Sequence, residues 1–152
     1  IKKGETLQDI EKSISILKSV GIKVIGLFII GLPGDNFEKF NRSLEFIKRT
    51  KLDSAWFGFL VPFKGTKVYE WVREKGRFLR NFDDALFFSP NIRPIFETSQ
   101  FTEKEMLQAY EKACTVTGDF ARIIPSHLSV FKKERMKQKL LRKYNQKETK
   151  DI

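Results

Sequence analysis

Apolar residues first recur at three- and four-residue intervals, at Leu7, Ile10, Ile14 and Leu17, and this spacing predicts an amphipathic helix. Thr6, followed three residues on by Asp9, is a relaxed capping box at its start, and Gly21 can take the left-handed conformation that ends helices. The pattern then changes. Lys23-Val-Ile-Gly-Leu-Phe-Ile-Ile30 is almost continuously apolar and predicts a strand covered on both faces. Gly31-Leu-Pro-Gly-Asp35 ends it. Asp35 and Glu38 are placed to cap a second helix, in which Phe37, Phe40, Leu44 and Ile47 form one stripe. A second strand is predicted over residues 55–61 and a third helix over residues 66–75.

Strand, helix and strand make a βαβ unit, so the two strands are expected to run parallel with a right-handed crossover and flanking helices. Two parallel strands leave unpaired edges and apolar faces, which predicts an excerpt of a larger α/β sheet. Beyond Gly76 the periodicity loosens. Phe78, Phe82, Phe87, Phe88 and Phe96 stand among Asn, Asp and Pro and read as an ordered surface loop region, a packing segment rather than a cover over an apolar substrate. Thr102 and Glu105 form a proper capping box, followed by Met106, Leu107, Tyr110, Ala113 and Cys114 on one helical face. From about residue 126 to 144, Leu128, Phe131, Met136, Leu140, Leu141 and Tyr144 alternate with basic residues, as in a charged helix with a fraying tail. There is no internal repeat beyond the single βα unit.

Composition sharpens this in three places. The 152 residues suffice for one domain with its own core, and thirteen of the fifteen Phe gather between Phe28 and Phe101, which locates that core. Lys and Arg outnumber Asp and Glu by 29 to 19, and from Lys132 onward nine basic residues face three acidic ones. Lys132, Lys133, Arg135, Lys137, Lys139, Arg142 and Lys143 make nucleic-acid binding the rival function, through neutralised phosphates. A solvated basic helix is the preferred reading, because no RRM, KH or helix-turn-helix signature accompanies the charge and Tyr144 is the only aromatic residue after Phe131. A third reading is a structural module whose open sheet edge pairs with a second copy. Cys114, the one cysteine, excludes an internal disulfide, and with no secretory signal in view a cytoplasmic location is expected. The apolar run over 24–32 is about half of the roughly 20 residues that cross a bilayer.

Candidate chemistry is sparse. Cys114 falls on the apolar face of its helix and reads as a buried, inert thiol; His127, the only histidine, has no clustered ligands around it. Asp35, Glu38 and Asp53 are available for acid–base work but read equally as caps and solvated charges. The two loops that follow the strands are more informative, since parallel α/β folds bind ligands beyond the carboxyl ends of their strands. Gly31-Leu-Pro-Gly34 lets the backbone approach a ligand, and the amides of the next helix can face a carboxylate or phosphate; its other reading is a tight strand-to-helix turn. In Leu60-Val-Pro-Phe-Lys-Gly-Thr66, Pro62 terminates the ladder and Thr66 caps the third helix.

Taken in order, Lys3-Gly-Glu-Thr6, Gly21-Ile22, Gly31-Leu-Pro-Gly-Asp35 and Pro62-Phe-Lys-Gly-Thr66 resemble the radical S-adenosylmethionine (SAM) enzymes, in particular their cobalamin-binding group of Fe–S oxidoreductases and methyltransferases. The resemblance covers residues 1 to about 75. It implies a fragment of a TIM-like partial (β/α)6 barrel, with these strands as the fifth and sixth, over residues 1–76, followed by a loop-rich and helical carboxy-terminal extension over 77–152. It further implies that Ile29, Gly31, Val61, Pro62 and Phe63 line the adenine of SAM through apolar and backbone contacts. Two departures stand out. In the pattern Gly-x-Ile-x-Gly-x-x-Glu, Leu27 replaces the first glycine and Gly34 the acid, with Gly26 and Asp35 each one residue away. The Cys-x-x-x-Cys-x-x-Cys motif for a [4Fe–4S] cluster and the Gly-Gly-Glu-like segment for the methionine part of SAM are both absent, so this chain alone is not expected to cleave SAM. The opening Ile1-Lys2-Lys3-Gly4 has no initiator Met, which fits a chain cut from a longer enzyme that holds the cluster upstream and, by the same resemblance, cobalamin in a preceding domain.

Overall fold

The computed structural model describes residues 4–81, 93–118, 135–139 and 142. Helix α1 (Leu7–Ser19) starts at Thr6, whose hydroxyl accepts from the Asp9 amide while the Asp9 carboxylate accepts from the Thr6 amide. It ends as the sequence predicts: the Ile22 amide donates to the Leu17 carbonyl and the Gly21 amide to the Lys18 carbonyl, the paired bonds of a Schellman motif. Strand β1 (Ile25–Ile30), helix α2 (Phe37–Thr50) and strand β2 (Ser54–Phe59) follow, and the two strands pair in parallel from Ile25 opposite Ser54 to Ile30 opposite Phe59. Helix α3 (Lys67–Lys75) is capped by Thr66, as expected. The mixed α/β unit of two parallel strands flanked by helices is therefore present.

One face of the β1–β2 pair is dry. Phe28, Ile30, Ala55, Phe57 and Phe59 point there, under the Phe40, Leu44 and Ile47 stripe of α2 and the Met106, Ala109, Tyr110, Ala113 and Cys114 face of α4 (Glu103–Thr117). The Phe28 and Phe57 rings stack at 5.2 Å across the strands, and Phe40 meets Phe57 edge-on. The α4 capping box forms as read from Thr102 and Glu105, and Cys114 is buried, as its position on the helix predicts. The other face corrects an expectation. Ile25, Leu27, Ile29 and Trp56 remain exposed, Leu27 at 75%, so the apolar run is covered on one side rather than two. Likewise only Ile14 of the predicted α1 stripe is buried, while Leu7, Ile10 and Leu17 stay exposed.

A second correction concerns the stretch after α3. Gly76–Phe78 (β3) and Phe96–Thr98 (β4) pair antiparallel, and Phe96 lies in a small core with Val72 and Ile95, against which Leu60, Val61 and Trp71 pack. The segment read as loop thus contains a short sheet in which Phe96 is 2% exposed and meets Trp71 edge-on. Phe82, Phe87, Phe88 and His127 lie outside the described residues, as does most of the basic tail, of which residues 135–139 are helical. Among the described residues no helix is long and apolar enough to cross a membrane.

Glu97 ties β4 to two neighbours: its carboxylate accepts from the Arg77 guanidinium on β3 and from the Glu103 amide at the start of α4. The Glu103 amide, then Arg77, hold the Glu97 carboxyl below its usual range. A depressed folded-state pKa gives stability that is present above the unfolded value, about 4.3, and is lost as pH falls through the folded one. Glu97→Gln is therefore expected to lower the urea midpoint at pH 7 by the equivalent of about 1 kcal/mol, and by progressively less as pH falls through the folded-state pKa of Glu97.

Candidate functional site

Both loops that the sequence singles out leave the same end of the sheet, because β1 and β2 are parallel and in register there; the ladder extends one step beyond β2, with the Leu60 amide donating to the Ile30 carbonyl. In the first loop Gly31 has φ +95° and Gly34 φ +83°, regions that L side chains rarely adopt. Gly31 is buried, and a Cβ there would lie 3.2 Å from the Met106 sulfur and 3.6 Å from the Phe96 ring. The loop is therefore pressed against both α4 and β4.

Asp35 is not the helix cap. The cap of α2 is Asn36, whose side-chain oxygen accepts from the Lys39 amide. The Asp35 carboxylate instead turns back and accepts from the Gly31 amide at 3.1 Å and the Leu32 amide at 3.0 Å, while its own amide donates to the Leu32 carbonyl. Burial pushes the Asp35 carboxyl above its usual range, opposed by the Leu32 and Gly31 hydrogen bonds and by the Lys39 charge. Lys39 donates to the Gly34 carbonyl at 2.6 Å. The Gly31 and Leu32 amides are taken by Asp35 and the Lys39 amide by Asn36, so these three amides serve the strand-to-helix turn itself.

The remaining acidic candidates are also structural. Glu38 pairs with Arg42 one turn along α2. Asp53 accepts from the Val24 amide and from Lys18, both at 2.9 Å, and joins the start of β1 to the start of β2 at the end of the sheet opposite the loops. The Val24 amide and then Lys18 hold its carboxyl below the usual range.

The five residues assigned to the adenine wall divide. Ile29, opposite Gly58 in the ladder, is 50% exposed on the uncovered face of the sheet. Gly31 and Pro62 are buried, and Val61 is half-buried against the Phe96 core. Phe63 is 48% exposed. It lines a groove of about 620 Å³ with Lys64, Tyr69, Phe78, Arg80, Asn81 and Ile95. Sequence spacing misses the part played by β3, β4 and their flanks, since Phe78, Arg80 and Ile95 sit in the stretch whose periodicity is lost; the density of aromatic residues there was the available signal. Ile29 and Phe63 thus offer exposed apolar surface near the carboxyl ends of the strands, which an apolar ring can use, while Gly31, Val61 and Pro62 shape the backbone beneath.

A [4Fe–4S] cluster is a different matter. It needs several thiolates, and this chain has one cysteine, buried in the α4 core. Among the described residues no group of His, Cys, Asp and Glu is arranged to hold a metal ion. The residues present do not fit a cluster.

No family model matches the chain. Three curated relatives do. An uncharacterized methyltransferase of Pyrococcus horikoshii is 27% identical over 114 residues, 74% of this chain and 24% of that protein. The bacteriochlorophyllide d C-12(1)-methyltransferase of Chlorobaculum tepidum is 30% identical over 82 residues, 54% of this chain and 17% of its own length. An uncharacterized protein of Methanocaldococcus jannaschii is 31% identical over 91 residues, 59% of this chain and 27% of that one. The chain thus has methyltransferase relatives at low identity, and it spans between 17% and 27% of the length of the three.

Proposed function

We propose that this chain is a segment of a SAM-dependent methyltransferase of the radical SAM type, and that the carboxyl ends of β1 and β2 form part of the wall on which the adenine of SAM rests. The observation that carries the reading is the similarity of 74% of the chain to a protein described as a methyltransferase. The motif order from Lys3 to Thr66 supports the radical SAM type, and the uncovered apolar face with Ile25, Leu27 and Ile29 on β1 suits the interior of a partial barrel completed by further strands. In this reading residues 1–76 belong to the barrel and residues 77–152 to an extension whose helix α4 closes the core beneath β1 and β2.

SAM, when bound, supplies the activated methyl or adenosyl group. The chain's own contribution is positional: Ile29 and Phe63 offer apolar surface to the purine, Gly31 and Pro62 set the course of the backbone, and Asp35 holds the first loop in shape. The cluster ligands, and cobalamin if the protein uses it, belong to parts of the longer protein outside this chain.

The test uses the full-length gene product purified without oxygen. The expected result is several equivalents of iron and sulfide, reductive cleavage of SAM, and SAM affinity lowered about tenfold by Phe63→Ala, as losing the burial of one aromatic side chain implies. A product that binds no iron and cleaves no SAM contradicts the radical SAM reading. Full affinity in Phe63→Ala removes Phe63 from the wall.

A further inference from the structure

The groove beside Phe63 has a chemistry of its own. Its apolar walls come from separate elements: Phe63 from the loop after β2, Tyr69 from α3, Phe78 from β3 and Ile95 from the approach to β4. The Tyr69 and Phe78 rings lie 5.3 Å apart and tilted by 39°, which makes one continuous aromatic surface. Among the described residues the polar lining is Lys64, Arg80 and Asn81, and none of the described lining residues is acidic. Its volume of about 620 Å³ is within the range of small-molecule sites, roughly 300–1,000 Å³.

We propose that this groove binds a planar aromatic acid, its ring system against Phe63 and the Tyr69–Phe78 pair and its acid group at Lys64. The two cations differ in their freedom to serve. Arg80 donates to the Pro94 carbonyl and pairs with Glu103, so its charge is largely answered within the protein. Lys64 is exposed on the loop and makes no ion pair among the described residues. Lys64 is therefore the charge-selecting group, and Arg80 stiffens the mouth of the groove. Aromatic walls favour a ring over a flexible chain, because a rigid ligand loses less conformational freedom on binding. The proposal goes beyond the SAM reading and needs neither SAM nor a cluster.

The test titrates the full-length gene product with pyrene-1-carboxylate and, separately, with its neutral analogue pyrene-1-methanol, following fluorescence anisotropy. Wild type is expected to bind the acid about tenfold more tightly than the alcohol. Lys64→Met keeps the apolar stem and removes the charge, and is expected to bring the two affinities together while leaving the far-ultraviolet circular dichroism unchanged. Tyr69→Ala is expected to weaken both ligands about tenfold. Equal affinities of wild type for acid and alcohol, an acid preference that survives Lys64→Met, or undiminished binding by a folded Tyr69→Ala chain would each overturn the proposal.

Discussion

Replacing Phe96 with alanine is expected to destabilise the chain by about 3–5 kcal/mol, seen as a large fall in the urea midpoint with far-ultraviolet signal lost at lower denaturant. Phe96 is 2% exposed and belongs to the shortest strand pair, yet it is where two parts of the molecule meet. Its ring packs edge-on to Trp71, shares a core with Val72, Ile95, Leu60 and Val61, and lies under Gly31. A cavity there cannot collapse easily, because the backbone at Gly31 is held by Asp35 and that at Phe78 by the ladder to Phe96 itself. Phe96→Leu, which keeps most of the volume, is expected to recover more than half of the loss. A small effect for Phe96→Ala would mean that β4 does not brace the strand ends.

Asp35→Ala should be the next most costly change, about 2–4 kcal/mol, since it strips the acceptor from two half-buried loop amides, Gly31 and Leu32, at roughly 1–3 kcal/mol each before water compensates. Asp35→Asn retains an oxygen that can accept from both and is expected to cost under about 1 kcal/mol at pH 7. The pH dependence has a definite sign. Burial raises the folded-state pKa of Asp35 above its unfolded value, so ionisation reduces what this residue contributes, and that part of the stability is lost as pH rises through the folded pKa. The advantage of wild type over Asp35→Asn should accordingly shrink from pH 4 to pH 7 in urea titrations. This is opposite to Glu97, whose contribution is lost in acid.

The helices were legible because their ends are written locally. Thr6 with Asp9, Thr66, and Thr102 with Glu105 each cap the helix that the spacing places after them, and the apolar stripes read on α2 and α4 are the faces that pack on the sheet. What stayed hidden depends on distant partners. The residues of β3 and β4 are twenty apart at Arg77 and Glu97, and three-residue strands are too short to show a period. A continuous apolar run does not reveal that only one face of β1 is covered, since the residue types are the same on both. Asp35 was read as a cap because Asp and Asn are both good caps; which of the neighbours Asp35 and Asn36 takes that place is decided by where the carboxylate finds two free amides, a matter of loop shape rather than residue type. The groove needed Phe63, Tyr69 and Phe78 brought together, and only the first stood out as a motif residue.

The measurement closest to the central claim is photolabelling of the full-length gene product with 8-azido-SAM, with and without excess SAM, followed by peptide mapping. The account predicts SAM-protectable label within residues 25–35 or 60–66, where the strands reach their carboxyl ends. Protectable label confined to other parts of the protein would contradict it, and would mean that the loops after β1 and β2 shape the fold without touching the adenine.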